Sequence, residues 1–166
     1  MKFNKLIPLF CFLITALTSA QTKTISLEEI WNGTFRTERM EALHSMNNGQ
    51  QYSVLDVDRK TGVTTIDIYD YKTLEKVKTL VNSSDIESVK FFTDYTFSDD
   101  ENQVLLATDE ESIFRRSTLG KYFIFNPKTN ETSLIAEHKI QEPTFSPDGT
   151  KVAYGYNNNL YVKDLA

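Results

Sequence analysis

One short pattern returns along this chain with its order intact, and it restricts the fold more than any other feature. Thr96-Phe97-Ser98-Asp99-Asp100 precedes the apolar run Val104-Leu105-Leu106-Ala107. Forty-eight residues later Thr144-Phe145-Ser146-Pro147-Asp148 precedes Val152-Ala153-Tyr154-Gly155. A weaker copy, Met46-Asn47-Asn48-Gly49 before Tyr52-Ser53-Val54, stands 52 residues ahead of the middle one. A second β-rich element trails each copy: Ile66-Asp67-Ile68-Tyr69-Asp70, Tyr122-Phe123-Ile124-Phe125-Asn126 and Leu160-Tyr161-Val162-Lys163-Asp164. Turn residues such as Lys60-Thr61-Gly62, Asn126-Pro127-Lys128-Thr129-Asn130 and Asn157-Asn158-Asn159 punctuate these runs. Many short, period-two strands separated in this way indicate hairpins.

A period near 50 residues made only of strands is the signature of propeller blades, each a four-stranded sheet that cannot bury both faces alone. The expected fold class is therefore all-β: an incomplete β-propeller of about two and a half to three blades, preceded by a signal peptide and a short helix. The bland alternative is an unrelated sandwich with chance similarities. Two ordered elements recurring in register favour the blades. The hairpin turn is expected to open each blade, with Gly49 and Gly149 free to adopt a left-handed conformation. The middle copy has Glu101 at that place, which predicts a turn of somewhat different shape. The middle copy also carries ten extra residues, around Asp109 to Thr118, before its second element. Such a surplus is expected to project as a longer loop or an extended hairpin, a common place for binding. Leu160 to Lys163 reads as a middle strand followed by no outer one, so the sequence is expected to be the front of a longer chain.

The first residues belong to no blade. Lys2 and Lys5, the apolar stretch Leu6 to Leu17 and the small residues Thr18-Ser19-Ala20 are the three parts of a signal peptide. The stretch is too short for a comfortable span, which takes about 20 residues, so no stable membrane span is expected after cleavage. Cleavage after Ala20 removes the only cysteine, Cys11, so an exported chain would lack disulfides and depend on its core. The expected location is periplasmic or secreted, in a bacterium. The basic residues fall from 18 to 16 against 23 acids, a mature net charge near -7, which disfavours nucleic acid as a partner. Three segments result: 1–20 signal peptide, 21–35 N-terminal segment with a short helix, and 36–166 partial propeller. In the second segment Ser26 and Glu29 form a capping box, Leu27, Ile30 and Trp31 share one face, and Asn32-Gly33 marks the stop. So short a helix is expected to dock that face on something.

Chemistry is sparse. No Gly-x-Ser-x-Gly elbow is present, and the histidines, His44 and His138, belong to no constellation. No catalytic residue, metal site or cofactor is assigned. The clusters Asp99-Asp100-Glu101 and Asp109-Glu110-Glu111 read as solvated turns, at a spacing that does not match a hand-type calcium loop. Arg115-Arg116 is the pair to single out. A guanidinium fork matches a carboxylate or carbonyl oxygen, yet the pair could equally balance Glu110 and Glu111.

Phe114-Arg115-Arg116-Ser117 also carries a resemblance. Taken with Ile25-Ser26-Leu27-Glu28-Glu29-Ile30, Asn32-Gly33-Thr34-Phe35, the run Val104 to Tyr122, Pro143-Thr144-Phe145-Ser146-Pro147-Asp148-Gly149 and Asn159-Leu160-Tyr161, it makes the chain resemble the N-terminal region of the dipeptidyl peptidase IV family of serine exopeptidases, in particular secreted members of the Bacteroidetes type. The resemblance implies an eight-bladed propeller over a C-terminal α/β-hydrolase domain, against which the early helix would dock. It further implies removal of dipeptides with proline or alanine second from peptide substrates with a free N-terminus, and a possible homodimer. Substrate-binding roles are implied for Arg115, on the substrate's backbone oxygen, and for the adjoining Arg116; which of the two points inward is left open. The triad and the family's paired glutamates would lie beyond Ala166, so the chain by itself is expected to be inactive. The competing readings are a non-enzymatic exported propeller that binds peptide, glycan or protein, and a short protein completed by self-association.

Overall fold

The computed structural model of the protein describes residues 24–37, 42–115 and 117–165. The leader, 1–20, and Arg116 lie outside the described residues. The chain divides into two units, Met1–Arg39 and Met40–Ala166.

In the first unit, α1 (Leu27–Trp31) starts where the sequence places it. The Glu29 amide donates to Ser26 Oγ at 3.2 Å and the Ser26 amide donates to Glu29 Oε2 at 3.1 Å, so two otherwise orphaned N–H groups are satisfied reciprocally. Gly33, at φ +81°, follows the Asn32 cap. Leu27, Ile30 and Trp31 remain 71, 59 and 83 % exposed. Among the described residues the apolar face of the helix stays exposed.

The second unit is a partial β-propeller of three antiparallel sheets. Blade 1 runs β1 (Leu43–Ser45), β2 (Gln51–Val57), β3 (Thr64–Asp70) and β4 (Lys76–Asn82), each strand paired with the next. Blade 2 repeats the order with β5 (Asp94–Phe97), β6 (Val104–Ser112), β7 (Thr118–Asn126) and β8 (Glu131–Leu134). Blade 3 has β9 (Gln141–Phe145), β10 (Lys151–Tyr156) and β11 (Asn159–Asp164). The recurring turn joins the first strand of each sheet to the second. A blade thus opens with a short strand, not with the turn as the sequence suggested. At three residues, β1 is too short to announce itself by alternation.

The three turns share one shape, including the one expected to differ. The amides of Gly49, Glu101 and Gly149 donate to the carbonyls of Met46, Ser98 and Ser146 at 2.8–2.9 Å. Their φ values are +64°, +56° and +69°. Glu101 therefore adopts the left-handed backbone that glycine adopts elsewhere, despite the steric cost of its Cβ. The compensation lies in the neighbouring blade: Glu101 Oε1 accepts the Asn47 amide, and Asn47 Nδ2 donates to the Asp99 carbonyl at 2.6 Å. The blade 2 turn is thereby tied to the blade 1 turn. Within each turn one side chain holds the backbone: Asn48, Asp100 and Asp148 accept the amides of Gln50, Asn102 and Thr150 at 2.9–3.0 Å.

Alternation in blade 2 builds both cores. Val104 and Leu106 of β6, with Phe123 and Phe125 of β7, join Ile66, Val81 and Phe92 on the blade 1 side. Leu105 and Ala107, with Tyr122 and Ile124, join Ile140 and Val152 on the blade 3 side. Successive side chains of a strand point to opposite faces, so a sheet packed on both sides needs a continuous apolar run. Blades 1 and 3 carry tyrosine ladders on cross-strand pairs instead. Tyr52 and Tyr69 stack at 5.4 Å, and Tyr154 and Tyr161 at 5.6 Å.

Candidate functional site

The ten surplus residues form an extended hairpin. β6 and β7 are nine residues each, against seven for β2 and β3 and six for β10 and β11. Their register shifts between Thr108, opposite Lys121, and Glu111, opposite Leu119, so that Asp109 and Glu110 together face Gly120. Two residues against one make a β-bulge, which bends the strand and re-aims what lies beyond it. Asp109 takes φ +52° there. Past the bulge, Ser112 pairs with Thr118, and the Ile113 amide donates to the Ser117 carbonyl at 2.9 Å. We refer to residues 109–120 as the arm.

Phe114 and Arg115 occupy the tip, Phe114 at 77 % exposure and Arg115 exposed beside it. Among the described residues no ion-pair partner faces the Arg115 guanidinium. The arrangement presents a planar cation, without an ion-pair partner among the described residues, at the end of a two-stranded support, which suits capture of a carboxylate or carbonyl oxygen.

The acidic residues of the arm are occupied elsewhere. Glu110 lies across Gly120, where an added Cβ would come within 3.0 Å of the Glu110 Cγ. Its Oε2 accepts from Thr93 Oγ1, and its Oε1 from the Tyr122 hydroxyl at 3.4 Å. Burial raises the Tyr122 phenol above its ordinary value, keeping it a protonated donor across the neutral range. Lys139, in the link to blade 3, reaches Asp109 Oδ1 at 3.3 Å and Glu111 Oε2 at 3.4 Å. Burial by itself lowers Lys139, but these two carboxylates outweigh it and hold the ammonium above its usual value. Asp109-Glu110-Glu111 is solvent-exposed as expected but lies in a strand, with the bulge at Asp109-Glu110, and not in a turn; Asp99-Asp100-Glu101 is a turn. Neither Glu110 nor Glu111 forms its contacts with Arg115: Glu110 meets Thr93 and Tyr122, and Glu111 meets Lys139.

At the root of the arm lies a recess of about 180 Å³ between β5, β6, β7 and β9, bordered by Asp94, Glu110, Thr118, Tyr122, Glu142 and Pro143. Its three carboxylates set a negative field there, favouring cationic over anionic groups. His44 and His138 belong to neither the recess nor the arm. The first packs on Tyr95 at 4.9 Å and the second on Tyr156 at 3.6 Å. Sequence reasoning found the arm through its surplus length. It missed Lys139 and Thr93, whose roles arise only from pairings across loops.

Comparison with known proteins adds the lineage. Residues 98–166 match the family model described as the dipeptidyl peptidase IV (DPP IV) N-terminal region. Over 145 residues the chain is 30 % identical to mouse prolyl endopeptidase FAP, covering 85 % of this chain and 18 % of that protein. It is 36 % identical over 89 residues to cat dipeptidyl peptidase 4, covering 51 % and 11 %. The crystal structure of Porphyromonas gingivalis dipeptidyl peptidase 4 superposes with a TM-score of 0.72 at 31 % identity, covering 86 % of this chain and 20 % of that one. The chain therefore spans about a fifth or less of the length of these relatives. Three blades in order, an arm bearing Phe114-Arg115 and these matches lead to one conclusion: the chain belongs to the dipeptidyl peptidase IV family, of which it carries an N-terminal region.

Proposed function

We infer that the chain is the substrate-gating and substrate-orienting propeller portion of an exported serine peptidase that removes X-Pro or X-Ala dipeptides from free N-termini. The observation that carries this reading is Arg115, exposed at the tip of a bulge-bent arm with no ion-pair partner among the described residues. A guanidinium so presented can hold the backbone oxygen of a peptide and fix its register. The similarity to proteins named dipeptidyl peptidase 4 supports the reaction class. The serine, aspartate and histidine would come from an α/β-hydrolase domain, the chain's principal partner, and a homodimer belongs to the same reading. The basic, apolar and small-residue segments of 1–20 support export to the periplasm or beyond.

Chromogenic Gly-Pro amide hydrolysis tests it. Residues 21–166 alone should release no chromophore, whereas a longer form bearing the hydrolase domain should. In that longer form Arg115→Ala should lose about 2–5 kcal/mol of transition-state interaction, the range for removing one member of a hydrogen-bonded charge pair. Unchanged kinetics for that variant would overturn the role given to Arg115, and activity of the short form would overturn the division of labour.

A further inference from the structure

The arm is held at its root by residues from three separate segments, and each contact falls on the bulge or the residue next to it. Thr93, in the lead-in to β5, and Tyr122, on β7, grip Glu110 from two sides. Lys139 bridges Asp109 and Glu111, the residues flanking Glu110. Next to Lys139, Ile140 exchanges both backbone hydrogen bonds with Gly120, at 2.9 and 3.1 Å. Gly120 is the residue opposite the bulge, and it leaves the space that the Glu110 side chain crosses. A bulge sets a bend but does not stiffen it, because the ladder is interrupted there. In this arm the interrupted segment is held instead by side-chain contacts, from Thr93 and Lys139 outside the hairpin and from Tyr122 at its base.

We propose that Glu110 and Lys139 are positioning residues which fix the direction of the arm and thereby the place of Arg115. Neither reaches the tip. Both act on the hinge-like bulge some five residues away in sequence, so a small rotation there is magnified at the guanidinium. Lys139 belongs to the link into blade 3, which makes the tip's direction a property of the junction between blades 2 and 3. The inference rests on the substrate-holding role of Arg115 only for its catalytic consequence; the mechanical part stands on the geometry alone.

Spin labels placed at Phe114→Cys and Asn158→Cys, with Cys11→Ser, report the distance between the tips of the blade 2 and blade 3 hairpins in the full chain. Lys139→Ala and Glu110→Ala should each at least double the width of that distance distribution, and Lys139→Arg should keep it narrow. An unchanged width in both alanine variants, with folding verified by circular dichroism, overturns the proposal. In the longer form bearing the hydrolase domain, Lys139→Ala should raise KM for a Gly-Pro amide about tenfold at unchanged kcat, and Lys139→Arg should restore it, because misplacing a positioned group by about 1 Å is enough for such a change. A broadened tip with an unaltered KM would uphold the clamp and instead refute substrate holding by Arg115.

Discussion

Blades 2 and 3 share the turn between their first two strands and then diverge at the next connection. In blade 3 the second hairpin closes at once: β10 and β11 pair without interruption from Lys151–Asp164 to Tyr156–Asn159, across Asn157 and Asn158 at φ +47° and +62°. Two successive left-handed residues make the tight turn whose twist suits a hairpin. In blade 2 the equivalent strands continue past the core, bend at the bulge and end in an exposed Phe-Arg tip. The buried portions of the two hairpins do the same work, packing sheet on sheet. They differ in extent, since β6 and β7 bury both faces whereas β11 leaves Leu160, Tyr161 and Val162 exposed; what lies beyond them separates what stabilises a blade from what a blade presents.

The largest effect expected from breaking that comparison falls on the shared core. Leu106, fully buried against blade 1, should lose about 2–5 kcal/mol on change to alanine, measured by urea unfolding. Replacing residues 112–118 by Asn-Gly, which gives blade 2 the short hairpin of blade 3, should alter stability by no more than about 1 kcal/mol. Equal losses from the two changes would mean that the arm is part of the core's support.

The second comparison, between turns, gives an intermediate effect. Glu101→Ala keeps the positive φ and removes the bond to Asn47, and should destabilise by about 1 kcal/mol. Glu101→Gly loses the same bond but relieves the backbone strain, and should lie within about 0.5 kcal/mol of the parent. Thermal melts that rank glycine below alanine would show that the glutamate's conformation is not strained.

The smallest effect concerns acid. Asp148 in the blade 3 turn is held at about 2, below the ordinary 3.8, chiefly by the Ser146 hydroxyl and then by the Thr150 amide and hydroxyl. A carboxylate lowered on folding stabilises above its unfolded value and loses that contribution as pH falls from near 3.8 toward 2. Asp100 is lowered in the same direction, first by Ser98, whereas the blade 1 turn uses the uncharged Asn48. Asp148→Asn should flatten the acid limb of stability between about pH 4 and 2, by giving up at neutral pH the contribution that the carboxylate makes there. A steepened limb would contradict the assignment.

What could be read from the residues follows the range of the forces involved. The capping box at Ser26 and Glu29 is local, and the period near 50 repeats a local pattern, so helix, strands and blades were all legible. Glu101 was misread because its reason lies 54 residues away, at Asn47. The bulge at Asp109-Glu110 was seen only as surplus length, since nothing in the acidic run names Thr93, Tyr122 or Lys139 as its partners. The apolar face of α1 was read correctly as apolar, yet the described residues leave it exposed. Composition reports a face and is silent about what meets it.

The interrupted register of β6 has a consequence for how this blade can vary. A one-residue insertion within Val104–Ala107 would send every following side chain to the wrong neighbour, exchanging the two cores. The same insertion past Thr108 meets a place where pairing already slips and no alternation has to be kept. The blade thus contains a buffer: lengthening or shortening its outer end is insulated from the packing that defines it, and the reach of the tip can drift while the neighbouring blades stay in step.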